Sequence, residues 1–324
     1  MAGLVNGVLR NAVRTKGTLK MPDSLAVRYS HPQKLIDALE KDLGSEVLEP
    51  MLAANNDIPL TVVQVNALRT TVEALTEMLE EEQVKVLPHA WMPDCLVLAN
   101  TGNLEALESF KEGLFYVQDA ASKLAVQCAQ IPVGEKTRVL DCCAAPGGKT
   151  FAAGIIMKNE GRIRSGDIHR HKTELIQRGA DRLGLTNVLV REQDATENHP
   201  SWFEKMDVVL ADVPCSGYGI IRKKPDIRYK DMASLAGLPA IQSAILDNAS
   251  RYVRRGGTLV YSTCTVLPEE NERVTDAFLR AHPDFTYDTF ALPGPIGTVE
   301  GHITLWPQRH GTDGFYICRM TRKE

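Results

Sequence analysis

The chain has 324 residues, 44% hydrophobic and 24% charged, with a formal net charge of −4. This is ordinary globular composition, long enough for two cores or one large one. No apolar run reaches the roughly 18 residues of a transmembrane helix, and the N-terminus lacks a signal peptide's pattern. Its seven cysteines are an odd, irregularly spread set, which points to reduced thiols, a cytoplasmic address and no disulfide scaffold.

In chain order, "MAGLVNGVLRNAVRTKGTLK" (1–20) reads as one basic amphipathic helix followed by a linker. A helical segment is expected over 31–56, opened by Ser30-His31-Pro32. The pattern then changes to strands at 60–65, 84–88, 95–100 and 114–119, with helices over 71–82 and 103–110. That βαββαβ order is the split βαβ, ferredoxin-like module. From 138 onward, apolar strands alternate with amphipathic helices. The strands are expected at 138–143, 161–168, 187–192, 206–213, 257–264 and 314–318. The helices are expected at 148–158, 170–184, 239–254 and 269–281. The rhythm predicts a doubly wound, mostly parallel seven-stranded sheet of Rossmann-like α/β type. Arg254 and Arg255 followed by two glycines look like the C-terminus of the helix from 239. The expected domains are 1–20, 21–118 (helical plus ferredoxin-like, RNA-binding) and 119–324.

Open α/β sheets bind ligands beyond the carboxyl ends of their strands, and four candidates lie there. The first is "LDCCAAPGGKT" (140–150), a strand–turn–helix whose Gly147 and Gly148 allow close backbone approach at a helix N-terminus. It lacks the first glycine of both the dinucleotide fingerprint and the phosphate loop, which argues against nicotinamide and nucleoside triphosphates. The second is Asp167, placed for ribose hydroxyls, and the third Asp194, placed for an adenine amino group. Taken alone, each is more often a cap or turn residue. Read together, the three describe an adenosyl pocket, and S-adenosylmethionine fits without a phosphate site. The fourth is Asp212-Val213-Pro214-Cys215, with Cys264 ending the next strand at the same rim. A lone strand-end cysteine is usually a small buried hydrophobe, but two in full motifs beside a cofactor turn suggest chemistry. No Cys/His spacing suggests zinc, and adjacent Cys142 and Cys143 cannot chelate one ion well.

Charge is uneven along the chain. Arg222, Lys223, Lys224, Arg228 and Lys230 crowd the loop after Cys215, while Arg162, Arg164, Arg170 and Lys172 form another basic zone. Arg10, Arg14, Lys16 and Lys20 make a third. Such clusters can be plain solvated faces, but the first follows a candidate catalytic cysteine, where a polyanion would lie.

"LDCCAAPGGKT", "DVPCSGYGIIRKKPDIRY" and "YSTCTVLPEENERV" closely resemble the Sun/Fmu family of bacterial 16S ribosomal RNA cytosine-C5 methyltransferases. The likeness extends to 24–44 and 115–126 and so covers the chain from residue 21. The resemblance implies S-adenosylmethionine as cofactor, bound by Cys143, Ala144, Ala145, Pro146, Gly147, Gly148, Lys149, Asp167, Asp194 and Asp212. It implies an unpaired loop of 16S rRNA as substrate, held by Arg222, Lys223, Lys224 and Arg228, and a metal-free, membrane-free monomer. It assigns nucleophilic attack to Cys264 and product release to Cys215, with Asp212 on the cytosine edge. The bare sequence leaves the two thiols' roles open. The family usually begins with a helical NusB-like domain, of which only the last helix, residues 3–14, is expected here. Competing readings are the same chemistry on transfer RNA or 23S rRNA, or a non-catalytic ribosome-assembly RNA binder.

Overall fold

The computed structural model describes residues 2–18 and 20–324 and divides into two compact units, 1–56 and 57–324. The sequence suggested breaks after residues 20 and 118. Unit one is helical: α1 (Ala2–Thr15), α2 (Leu25–Arg28), α3 (Gln33–Leu43) and α4 (Ser45–Ala54). Helix α1 buries none of its residues. Pro32 caps α3, and Gly44, in the left-handed region with φ 77°, turns the chain into α4. The predicted 31–56 segment is therefore two helices. Their apolar stripes, including Leu35, Ile36, Leu39, Leu48 and Leu52, are fully buried.

Unit two opens with β1 (Thr61–Val65), α5 (Val72–Glu81), β2 (Lys85–Pro88), β3 (Cys95–Ala99), α6 (Glu108–Lys111) and β4 (Phe115–Val117). These strands pair antiparallel in the order β2-β3-β1-β4, the ferredoxin-like arrangement expected. One face, with Val63, Val65, Leu96 and Leu98, packs on Leu75 and Leu79 of α5. The other, with Val62, Val97 and Tyr116, continues into the core of the larger sheet. A shared core of this kind explains why no division falls at residue 118.

The remainder is α7 (Ala120–Gln127), β5 (Arg138–Asp141), α8 (Gly148–Ile156), β6 (Arg162–Asp167), α9 (Arg170–Leu183), β7 (Val188–Glu192), β8 (Met206–Asp212), α10 (Met232–Leu235), α11 (Leu238–Ser250), β9 (Val253–Thr263), α12 (Glu272–Ala281), β10 (Phe285–Tyr287), β11 (Thr289–Leu292), β12 (Gly297–Glu300), β13 (His302–Leu305), α13 (Pro307–His310) and β14 (Phe315–Arg322). The large sheet runs β10-β14-β9-β8-β5-β6-β7, with β13 pairing β14 as an eighth strand. Strands β5 to β9 are mutually parallel; β14 inserts antiparallel against β9. Helices α7, α8 and α9 bury their apolar residues on one face, α11 and α12 on the other.

Three sequence expectations change. Helix α11 stops at Ser250, so Arg254 and Arg255 begin β9 rather than ending the helix, and Arg254 Nε meets Asp207 Oδ1 at 2.7 Å. Gly256, with φ 67°, lies beside the register shift between β8 and β9, which is what the glycine pair serves. Residues 285–305 form four short strands that have too little alternation to declare themselves.

Candidate active site

The carboxyl ends of β5, β6, β8 and β9 deliver the four sequence candidates to one rim of the sheet. Val209, Leu210 and Ala211 pair in register with Leu259, Val260 and Tyr261. The motifs that follow the two strands therefore emerge side by side. Cys215 Sγ and Cys264 Sγ are 3.2 Å apart, both thiols free and half-buried. Hydrogen bonding from Cys215 lowers the Cys264 pKa below the usual thiol value, against an opposing effect of burial. That same bond, then burial, raises the pKa of Cys215. Lys149 adds a favourable charge for the Cys264 thiolate. The pair is therefore asymmetric, with Cys264 the readier thiolate and Cys215 the proton-bearing partner.

Asp212 ends β8 beside them. Its Oδ2 accepts from Lys149 Nζ at 2.7 Å and its Oδ1 from Ser262 Oγ at 2.8 Å. Lys149 is itself buried, donates to Ser122 Oγ at 2.9 Å and lies 5.0 Å from the Phe315 ring centroid. A lysine so enclosed is held by its pairing, and it fixes the Asp212 carboxylate toward the rim.

The cofactor turn is built from the end of β5. Gly147 has φ +117°, and a Cβ there would come 2.3 Å from the Phe151 ring, so only glycine fits. A Cβ on Gly148 would crowd Gln118 Nε2 at 3.0 Å. Ala144 N donates to Gly166 O at 2.8 Å, tying Cys143, Ala144, Ala145 and Pro146 to the end of β6. Asp167 is buried there, its Oδ1 accepting from His169 N at 3.1 Å with Lys172 Nζ at 3.8 Å. Asp194 Oδ1 accepts from Thr196 N and Oγ1, which lowers its pKa. Sequence reasoning passed over Asp141, which is fully buried and bonded to Thr150 Oγ1 at 2.7 Å. Burial pushes its carboxyl up to about 7. Asp141 Oδ1, Gln118 Oε1 and Gln193 Oε1 are buried acceptors without a partner around this turn, the condition that a hydrogen-bonding ligand relieves.

Two further residues of the rim were missed because they read as the acidic start of a helix. Glu270 is 4% exposed, and its Oε2 accepts from Ser216 N at 2.9 Å and Gln242 Nε2 at 2.8 Å. Gln242 also donates to Pro214 O. Asn271, fully buried, accepts from Thr263 Oγ1 and donates to Thr265 O. "PEEN" thus clamps the turns on either side of both thiols. The available signal was Glu270 and Asn271, six and seven residues after Cys264 and immediately ahead of the amphipathic helix α12.

The basic loop differs from its sequence reading. Lys223 Nζ lies 2.7 Å from Asp119 Oδ2 and 2.8 Å from Asp313 Oδ2, and Arg222 lies 3.6 Å from Asp313. These two cations are committed inside the protein, so they are not free for phosphate; Lys224 remains exposed. Gly219 packs against Gly314 so closely that a Cβ would sit 1.9 Å from Gly314 O, and Gly219 N donates to Cys264 O. The loop is thereby fastened onto the rim. Among the described residues, no three His, Cys, Asp or Glu side chains gather to hold a metal ion, and no helix is long and apolar enough to cross a membrane.

Residues 129–321 match the family of 16S rRNA methyltransferases RsmB/F, and residues 31–105 match the ferredoxin-like domain of RsmF/B-like methyltransferases. The chain belongs to the RsmB/F family. It is 36% identical over 335 residues to a probable ribosomal RNA small subunit methyltransferase B of Bacillus subtilis, covering all of this chain and 74% of that protein. Among solved structures, PH0851 superposes with TM-score 0.85 at 31% identity, covering 94% of this chain and 69% of that one. A methyltransferase homologue from Pyrococcus horikoshii follows at TM-score 0.75 and 26% identity, covering 93% and 98%. RsmB/F proteins are S-adenosylmethionine-dependent rRNA methyltransferases, and the turn at 141–150 with its unpartnered acceptors suits that cofactor.

Proposed function

We propose that the protein methylates C5 of one cytosine in an unpaired loop of small-subunit rRNA, through a covalent bond between Cys264 and C6. The observation that carries this reading is the pair of thiols 3.2 Å apart beside a lysine-gripped aspartate. Cytosine C5 is a poor nucleophile. Adding the Cys264 thiolate across C6 makes C5 enamine-like, and thiolates suit such attack at neutral pH. When bound, the cofactor supplies an electrophilic methyl group. Residues 143–149 would hold it, with Asp167 on its ribose and Asp194 on its adenine amine. Gln118 and Asp141 offer acceptors for its ammonium.

Asp212, immobilised by Lys149 and Ser262, bonds the N3 and amino edge of the base and stabilises charge that develops in the adduct. After methylation the C5 proton is lost to solvent and the C6–S bond breaks, returning the thiolate to Cys264. The Cys215 S–H bond that lowers the Cys264 pKa also makes that sulfur a better leaving group. One hydrogen bond therefore assists both attack and release. The base must be unstacked to reach the thiols, so a loop is the expected substrate. Lys224 and Arg228 would lie against its flanking phosphates.

Purified protein, S-adenosylmethionine and unmodified small-subunit rRNA should yield one bisulfite-resistant cytosine. Modification confined to transfer RNA or 23S rRNA would redirect the substrate, and no modification of any RNA would overturn the enzymatic reading.

A further inference from the structure

At the opposite edge of the large sheet, the amino ends of β5, β6 and β8 enclose a cleft of about 430 Å³ that contains none of the cofactor-site residues. Its walls include Lys136, Arg138, Arg162, Arg164 and Lys205 around Trp202, with Glu135 as the acidic side chain in the lining. Arg138 pairs in register with Arg162 on the adjacent strand. Val139, Ile163 and Val190 face the core under α9. By strand alternation, Arg138, Arg162, Arg164 and Arg191 all project from the other face. The Arg164 and Arg191 guanidinium carbons lie 5.1 and 5.3 Å from the Trp202 ring centroid.

This face is open for a topological reason. The crossover from β7 to β8 has no helix of its own beyond the single turn Pro200–Trp202. The core beneath α11 and α12 includes no residue of β6 or β7. A parallel sheet normally has both faces covered; here arginines occupy the place of a crossover helix. Among the described residues, none of Lys136, Arg138, Arg162, Arg164, Arg191 and Lys205 has a carboxylate at ion-pair distance. Asp207, on the neighbouring strand, is already taken by Arg254 and the Arg138 backbone N–H. Side-by-side like charges destabilise a sheet, so the cluster suits a polyanion bound there. Leu189, half-exposed beside Arg164, is a single apolar side chain rather than the apolar centre of a protein interface, whereas guanidinium groups match phosphate oxygens.

We propose that the open face of β6 and β7 is a second RNA-docking surface, binding the phosphodiester backbone of the substrate rRNA remote from the target cytosine. This rests on the rRNA reading above. Arg162 lies five residues before Asp167 on β6, roughly 17 Å at about 3.3 Å per residue, while Arg164 and Arg191 continue the cluster along the open face toward the carboxyl rim. An RNA that continues from the rim around the sheet edge meets these cations, and a loop confined to the rim does not.

The test is filter or mobility-shift binding of an unmodified small-subunit rRNA transcript to the full chain over a salt series. Both Arg138 and Arg162 are exposed, and the double variant R138A/R162A should bind about tenfold more weakly. Its slope of log K against log salt should be shallower by about two, from two lost phosphate contacts. R138K/R162K should keep most of both, and in either double variant cofactor binding and methylation of a short stem-loop should be unchanged and the melting temperature should not fall. An unaltered affinity and slope would overturn the proposal, as would lysine variants as weak as the alanine ones. A defect seen only with protein-containing subunits would also overturn it, pointing to an acidic protein. Wild-type protein without salt-dependent rRNA binding would overturn the function reading along with it, and the wild-type arm distinguishes the two failures.

Discussion

The two ends of the large sheet both carry charged side chains and treat them in opposite ways. At the carboxyl rim, Asp212 is closed by Lys149 and Ser262, Glu270 by Ser216 and Gln242, and Asp119 and Asp313 by Lys223. On the open face, Arg138 and Arg162 at the amino edge and Arg191 farther along β7 stand exposed with no carboxylate at ion-pair distance among the described residues. Pairing fixes side chains in place, which chemistry requires. Unpaired cations form a diffuse field, which captures a polyanion and tolerates its motion. The difference separates a site built for geometry from a surface built for affinity.

Substitutions should therefore be costly at the rim and mild at the edge. Cys264→Ala should lower methyl transfer by on the order of 10⁴-fold, measured as tritiated methyl incorporation, with rRNA binding retained. Asp212→Asn weakens the Lys149 pairing and the contact to the base, and should cost about 10²- to 10³-fold in kcat. Glu270→Ala leaves the Ser216 N–H and the Gln242 amide without their shared acceptor. It should lower unfolding free energy by about 2 kcal/mol, read by denaturant melts, and reduce kcat by displacing Cys215. Cys215→Ala removes the donor that lowers the Cys264 pKa. The pH profile of Cys264 alkylation, followed by peptide mass spectrometry, should move upward, since losing a hydrogen bond to the thiolate favours the protonated form. Smallest is Arg162→Ala, which should leave kcat on a short stem-loop unchanged. If it equals Asp212→Asn in effect, the contrast between the two ends fails.

Much of this arrangement was legible in the sequence. Strands β5 to β9 and the turn at Gly147-Gly148 follow from short apolar runs and glycines whose demands are local. The ferredoxin-like module was readable for the same reason. Illegible were features that depend on distant partners. Glu270 looked like helix-surface acid because the Ser216 and Gln242 donors lie 54 and 28 residues away. Lys223 looked free because Asp119 and Asp313 lie 104 and 90 residues away. Arg254 and Arg255 satisfied a helix-end rule while belonging to β9, where the partner Asp207 on β8 decided the outcome. The arginines at 162 and 164 were noticed only as a run; their gathering with Arg138 and Arg191 arises from sheet order.

The central claim is that the two thiols divide attack and release. The most direct measurement incubates Cys215→Ala and Cys264→Ala variants with cofactor and rRNA, then resolves protein–RNA adducts on a denaturing gel. Cys215→Ala should accumulate a covalent adduct that maps to the peptide containing Cys264, and Cys264→Ala should form none. An adduct from Cys264→Ala through Cys215, or none from either variant, would contradict the account.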